Sequence, residues 1–386
     1  QHALVALDAD QIQSAPQGQM SFQLRDQQQN ITLTSQYQYQ KIANQLDFRH
    51  VKLLAPATKL KGNLSVDLHK TLINGQISGK IHQLLALKPW HHQHIEGGVS
   101  INTHFKPVQQ QQQVKSQVVL ENMTGAIGNL SLAKLTATLS DVFNALSFKA
   151  QLQVKNYQKQ HTKLHSAKLE LTGDRTNIHL KNQLIGHHVK DFSINNQTHI
   201  ELNEKVAINI QSLTGKVAGN HLKLNKPLSV SLNPNHKILT TPLNLSWSDA
   251  LLQSSEFRYS SMAMQGQLEI NFPMSLLQQF DAPEMTGGFY GKLDFTGSPE
   301  KPVMMLNSHV KQLQFAHLKN MPKSRIELNV QLNHQQLTAD ITTDKLTVKP
   351  IIGHVLLPLS FSLQPFNFEW VENKLMSGKL FAKVDL

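Results

Sequence analysis

The residues best equipped for chemistry are the histidines, of which the chain has 20. They are densest at His91, His92 and His94 and again at His187 and His188, and imidazoles spaced so closely invite comparison with a zinc site. On a strand, however, neighbouring side chains point to opposite faces, so the first cluster offers only His92 and His94 together. Glu96 is the one carboxylate close by in sequence. That set is short of a ligand shell, and the expected reading is polar loop histidines, with Trp90 after Lys88-Pro89 capping a strand edge. The carboxylates Glu170, Glu201, Glu204, Glu269 and Asp294 are scattered, without a spacing that pairs them for acid-base work. The chain has no nucleophile elbow, no His-Glu-x-x-His, no phosphate loop and no cysteine. No catalytic residue, metal or cofactor is expected, and the chain is not read as an enzyme.

Without cysteine a disulfide scaffold is excluded, which suits an oxidising compartment such as the periplasm. The 386 residues carry a formal net charge of +11. Only Arg25, Arg49, Arg175, Arg258 and Arg325 are arginine; base and phosphate readout favours arginine, so no nucleic-acid partner is expected. Lys52, Lys59, Lys61, Lys70, Lys80 and Lys88 face only Asp67 between Val51 and His94. Such a stretch suits an anionic membrane surface, an acidic partner or simply a solvated sheet face. The glutamine run Gln109 to Gln113 is expected to be a mobile loop. No apolar run is long enough for a membrane-spanning helix. The chain opens at Gln1 without an initiator Met and is expected to be an excerpt or a processed product.

The elements that carry these residues are strands. Apolar and polar residues alternate with period two in Phe148-Ala150-Leu152-Val154, Ile326-Leu328-Val330-Leu332, Leu64-Val66-Leu68, Ala167-Leu169-Leu171, Val206-Ile208-Ile210 and Leu228-Val230-Leu232. Turns are expected at Asn74-Gly75, Gly97-Gly98, Gly173-Asp174, Asn233-Pro234-Asn235, Gly287-Gly288 and Gly297-Ser298-Pro299, with Pro299 and Pro302 protecting an edge. Short helices are expected only at Ser275 to Phe280 and Asp249 to Ser254. The remainder makes on the order of 25 strands.

The fold class read from this is all-β: an elongated, mostly antiparallel continuous sheet curled into a trough, with an apolar interior and very few short helices. Residues 1–386 are taken as a single elongated β-groove segment. Gly287 to Phe295 aligns on Gly378 to Leu386, a spacing of 91 residues (378 minus 287), and the lead-ins Phe272 to Phe280 and Leu357 to Phe366 match in style. Repeat units are therefore placed near 272–303 and 357–386.

Gly291-Lys-Leu-Asp-Phe-Thr-Gly-Ser-Pro-Glu-Lys-Pro-Val303 resembles the recurring Gly-x-Leu-x-(Leu/Phe)-x-Gly-(Thr/Ser)-Pro-x-x-Pro element of the TamB family, large subunits of the translocation and assembly module within the AsmA-like group. Leu359 to Phe366 followed by Met376-Ser-Gly-Lys-Leu380 is similar to another repeat opening of that family, and a YdbH-like relative has the same texture. The resemblance covers roughly the last third of the chain. It implies a β-taco or repeating β-groove in the periplasm of a diderm bacterium, anchored in the inner membrane. It also implies a TamA-like outer-membrane barrel partner reached through regions outside this chain, with roles in phospholipid transport between the membranes and in outer-membrane protein assembly.

On that reading the chain is a monomeric middle segment whose apolar lining shields phospholipids or other acyl chains. The candidate lining residues are Leu64, Val66, Leu68, Phe148, Leu152, Val154, Ile208, Ile210, Leu228, Val230, Leu232, Leu268, Ile270, Ile326, Leu328, Val330 and Leu332. Two other functions fit the same pattern: a chaperone-like sheet edge that pairs with unfolded outer-membrane strands, and a β-sandwich adhesin or binding module, against which the scarcity of Trp and Tyr counts.

Overall fold

A computed structural model describes residues 2–10, 16–26, 29–87, 95–235, 237–280, 282–318, 322–333, 335–345, 350–371 and 377–381. The histidine cluster His91 to His94 and Trp90 lie outside them, as do residues 382–386 of the second repeat unit. The chain is all-β, its described residues forming 29 strands and two short 3-10 segments, and it divides into two compact units, Gln1–His188 and Val189–Leu386.

The first unit is a single antiparallel ladder. Its strands are β1 (His2–Asp10), β2 (Gln17–Asp26), β3 (Gln29–Gln40), β4 (Gln45–Ala55), β5 (Thr58–Asp67), β6 (Leu72–Ile81), β7 (Ile95–Val108), β8 (Gln111–Gly125), β9 (Asn129–Ser140), β10 (Ser147–Lys159), β11 (Thr162–Asp174) and β12 (Asn177–His187). Each described pairing joins consecutive strands. The 3-10 segment η1 (Leu84–Leu87) joins β6 to β7. Leu84 packs there on Met123, Leu130 and Ala133, with Ile95, Leu120, Leu152, Val154 and Tyr157 around them.

The second unit opens with β13 (Asp191–Leu202) paired to β14 (Val206–Val217). Along β14 the next strand splits, with β15 (Asn220–Leu224) on one end and β16 (Leu228–Leu232) on the other. The split continues through β17 (Ile238–Thr240) and β18 (Asn244–Trp247), then β19 (Ala250–Ser254) and β20 (Phe257–Tyr259), until both branches rejoin on β21 (Met264–Pro273). These six short strands are three crossings broken at a common crease. Pro227 and Pro242 sit in it without an N–H to give the ladder. Beyond it each crossing is a single strand, through β22 (Met285–Gly297), β23 (Pro302–Phe315), β24 (Ser324–Asn333), β25 (Gln336–Asp344), β26 (Ile351–Leu357) and β29 (Ser377–Phe381). The second 3-10 segment, η2 (Met274–Phe280), joins β21 to β22.

The hairpin β27 (Leu359–Leu363) with β28 (Phe366–Trp370) stands outside that ladder. It is tied to the β22–β23 turn, because the Leu363 N–H donates to the Pro299 carbonyl at 2.7 Å. Pro299 and Pro302 are thereby among the most buried residues rather than edge guards.

Several expectations need correction. Asp249 to Ser254 is not helical; residues 250–254 are β19. The Gln109 to Gln113 run is not a loose loop. Gln109 and Gln110, at φ 49° and 64°, make a two-residue hairpin turn, and Gln112 is only 2% exposed. Three of the six expected turns, Asn74-Gly75, Gly97-Gly98 and Gly287-Gly288, lie inside strands β6, β7 and β22. Gly97 and Gly287 both sit at φ 123° in β-bulges, where the register slips against β8 and β23.

Those two bulges expose a longer internal echo. Ile95 pairs with Gly125 and Gly98 with Glu121; Met285 pairs with Phe315 and Gly288 with Lys311. The β7–β8 and β22–β23 hairpins therefore match pair for pair at a spacing of 190 residues (285 minus 95), each preceded by its 3-10 segment. The 91-residue spacing keeps the strand order but replaces η2 with the β27–β28 hairpin.

Candidate functional site: an uncovered apolar face

Register determines which side chains share a face. Across β4 to β12, four transverse rows lie on one side of the first unit. One row runs Phe48, Leu64, Gly75, Phe105, Val114, Leu139, Phe148, Gly173, Ile178. The next is Val51, Gly62, Ile77, Thr103, Ser116, Ala137, Ala150, Leu171, Leu180. Beside it stand Leu53, Leu60, Gly79, Ile101, Val118, Leu135, Leu152, Leu169, Asn182, and then Ala55, Thr58, Ile81, Val99, Leu120, Ala133, Val154, Ala167, Leu184. No residue in these rows is charged.

Leu64, Phe148, Leu152 and Val154 thus share one surface although up to 90 residues (154 minus 64) separate them in sequence. Val66 joins them beside Leu46 and Ile73. Leu68 does not. β5 ends at Asp67, whose carboxylate accepts the His69 and Lys70 N–H groups at 2.9 and 3.0 Å and turns the chain, leaving Leu68 47% exposed.

The second unit builds a comparable surface on β21 to β26. Its rows include Leu268, Leu293, Leu306, Val330, Ala339, Val355 and Ile270, Gly291, Ser308, Leu328, Ile341, Gly353. Flanking rows hold Leu332 beside Met304 and Leu337, and Ile326 beside Val310 and Thr343. Before the crease, Ile208 pairs with Ile200 and Val230, Ile210 with Thr198 and Leu228, and Val206 with Leu202 and Leu232. Every remaining candidate is therefore on a strand with at least one apolar cross-strand neighbour.

None of the candidate lining residues is fully buried, and Ile208 (37%), Leu232 (41%) and Ile270 (36%) are exposed outright. In neither unit, among the described residues, does a second full sheet or a long helix cover the rows. The sandwich alternative, two sheets closing on a common core, is not what these ladders build. Space is adjusted by glycine instead. A Cβ on Gly79 would meet Leu60 at 2.2 Å, and one on Gly266 the Phe295 ring at 2.6 Å, so in each pair the large side chain lies over its partner's backbone.

Polar residues that period two did not flag also sit in the rows. Thr103 and Ser116 satisfy each other through a 3.0 Å hydroxyl contact, whereas the buried Asn182 Oδ1 has no hydrogen-bond partner among the described residues. The opposite face holds the charges: Lys52, Lys59, Lys61, Lys80, Lys115, Lys134, Lys149, Lys168 and Lys181 all occupy the alternate register.

Among the described residues no three of His, Asp and Glu come together as a metal-binding group, and no helix is long and apolar enough to cross a membrane. No family model, curated protein or solved structure matches the chain.

Proposed function

We propose that this chain is a segment of a lipid conduit, in which the transverse apolar rows hold acyl chains and shield them from water during transfer between membranes. The observation that supports this is an uncharged apolar face, many strands wide, over which the described residues place no protein layer. Leaving such a face in water is costly, and each methylene it covers recovers about 0.8 kcal/mol. An acyl chain needs no directional contact, which agrees with rows of Leu, Ile, Val and Phe that lack a fixed polar constellation. The resemblance to TamB repeats points the same way, toward a periplasmic, inner-membrane-anchored bridge serving outer-membrane biogenesis. No bond is made or broken in this function.

Because the chain has no cysteine, single cysteines introduced from Ile326 to Leu332 carry a polarity-sensitive label at unique sites. Adding a fatty acid with a quencher on its tail is expected to quench labels at 326, 328, 330 and 332 and spare those at 327, 329 and 331. Replacing Leu328 and Val330 together with Glu is expected to abolish fatty-acid binding, whereas the same change at Asn329 and Gln331 leaves it intact. Uniform quenching, or binding that survives Leu328→Glu/Val330→Glu in a folded protein, overturns the reading.

A further inference from the structure

The charged face of the first unit contains two basic clusters that differ in one respect. On β10 to β12, Lys149, Lys181 and His179 line a depression of about 460 Å³ together with Glu170. Glu170 forms an ion pair with Lys168 at 2.7 Å. The Lys168 hydrogen bond, with the charges of Lys168, Lys181 and Lys149, holds its carboxyl below the usual range. This cluster contains its own anion.

On β4 to β6 the arrangement lacks that anion. Lys52 and Lys61 are direct cross-strand partners, and Lys61 is in turn opposite Ser78. They line a depression of about 440 Å³ with His50, Val51, Gly62, Asn63, Gln76 and Ser78, a wall without a carboxylate. The hollow exists because β4 bulges here: His50 is held at φ 51°, its N–H donating to Asn63 Oδ1 at 2.8 Å. One row over, Lys59 faces Lys80, and only Lys80 has a counter-charge, Glu121 at 3.5 Å. Like charges placed directly opposite on a sheet repel, and among the described residues neither Lys52, Lys59 nor Lys61 has an ion pair to offset it.

We propose that the Lys52–Lys61 depression binds a phosphate-type oxyanion, supplied by a lipid headgroup or by free phosphate. The ammonium groups of two lysines whose Cβ atoms stand about 5 Å apart across the strands, the Ser78 hydroxyl and the Asn63 amide N–H groups are all donors, and a tetrahedral oxyanion has acceptors for each of them. The external anion takes the part that Glu170 plays on β10 to β12. Its lysines occupy the register opposite the apolar rows, to which only Val51 and Gly62 of the wall belong, so it is tested separately from acyl-chain binding.

The test uses the full 386-residue chain, titrated with inorganic phosphate against chloride at equal ionic strength, and separately with phosphatidylcholine vesicles with and without phosphatidic acid. Backbone amide shifts are read at Lys52, Lys61 and Ser78 and at Lys149 and Lys181. Saturable shifts confined to β4 to β6 are expected, weakened about tenfold or more in Lys52→Gln/Lys61→Gln and retained in Lys149→Gln/Lys181→Gln. Saturation by inorganic phosphate identifies the free anion as sufficient; a response only to phosphatidic acid vesicles identifies the headgroup. Because the substituted side chains are exposed, both variants are expected to keep the wild-type circular dichroism. Shifts that rise without saturation on both clusters alike, or that fall equally in both variants, reduce the effect to diffuse charge and overturn the proposal.

Discussion

A glutamine amide carries the same donor and acceptor as a peptide unit, and Gln112 uses them that way. Its Oε1 accepts the Ile73 N–H at 2.6 Å and its Nε2 donates to the Ile73 carbonyl at 3.0 Å. The β6–β7 ladder begins only at Gly75, so the side chain supplies a rung that β7 does not. Gln112→Ala is expected to cost about 1–3 kcal/mol in urea unfolding, the penalty of an orphaned buried pair. Asp47 is a second such residue, 7% exposed and accepting from Gln40 Nε2 at 2.7 Å and Gln45 Nε2 at 2.8 Å. Burial pushes its carboxyl up, but hydrogen bonds from Gln45, Ser65 and Gln40 and the Arg49 charge outweigh that and hold it below the usual carboxylate range. A carboxylate whose folded pKa is depressed contributes stability above its unfolded pKa and loses it as pH falls through the folded value. Asp47→Asn is therefore expected to lower the urea midpoint at pH 7 and to lose that gap progressively as pH falls through and below the usual carboxylate range. Neither role was legible in the sequence: Gln112 lies in a run whose composition says only that it is polar, and what it does depends on a strand 39 residues away.

The strands themselves were legible, because period two survives any uncertainty in register, and so the face of nearly every lining candidate was readable before its neighbours were. Their ends were less so. Leu68 continues the alternation past the point where Asp67 turns the chain, and the signal against it was that Asp followed by His-Lys. Glycine pairs were harder, since Gly173-Asp174 ends β11 at the edge of its hairpin turn whereas Gly97-Gly98 bulges a hairpin strand, and both need a glycine φ that other residues resist. A Cβ at Gly97 would meet Met123 Sδ at 2.6 Å and two carbonyl oxygens at 2.9 and 3.0 Å; one at Gly287 would meet the Lys311 carbonyl at 2.7 Å. Gly97→Ala and Gly287→Ala are each expected to destabilise their hairpin by about 1–3 kcal/mol, seen as faster amide hydrogen exchange confined to β7–β8 in the first case and β22–β23 in the second. Exchange that rises evenly along the chain would argue that the bulges are incidental.

At the scale of the molecule, the fold class was readable and the uncovered state of the apolar face was not, because an aliphatic row reads the same whether protein or lipid completes it. One property of the ladder concerns time rather than space. Among the described residues, each strand of the first unit pairs in the backbone ladder with the strand made just before it and the one made just after it. Most β proteins fold slowly because distant segments must find one another before any pairing is rewarded. Here loop closure spans a hairpin at a time, and stability accumulates from neighbour to neighbour as in a repeat protein. A chain delivered N-terminus first can add each strand to a finished edge as it emerges, so an interrupted synthesis leaves a shorter sheet with the same face, not a tangle waiting for its missing half.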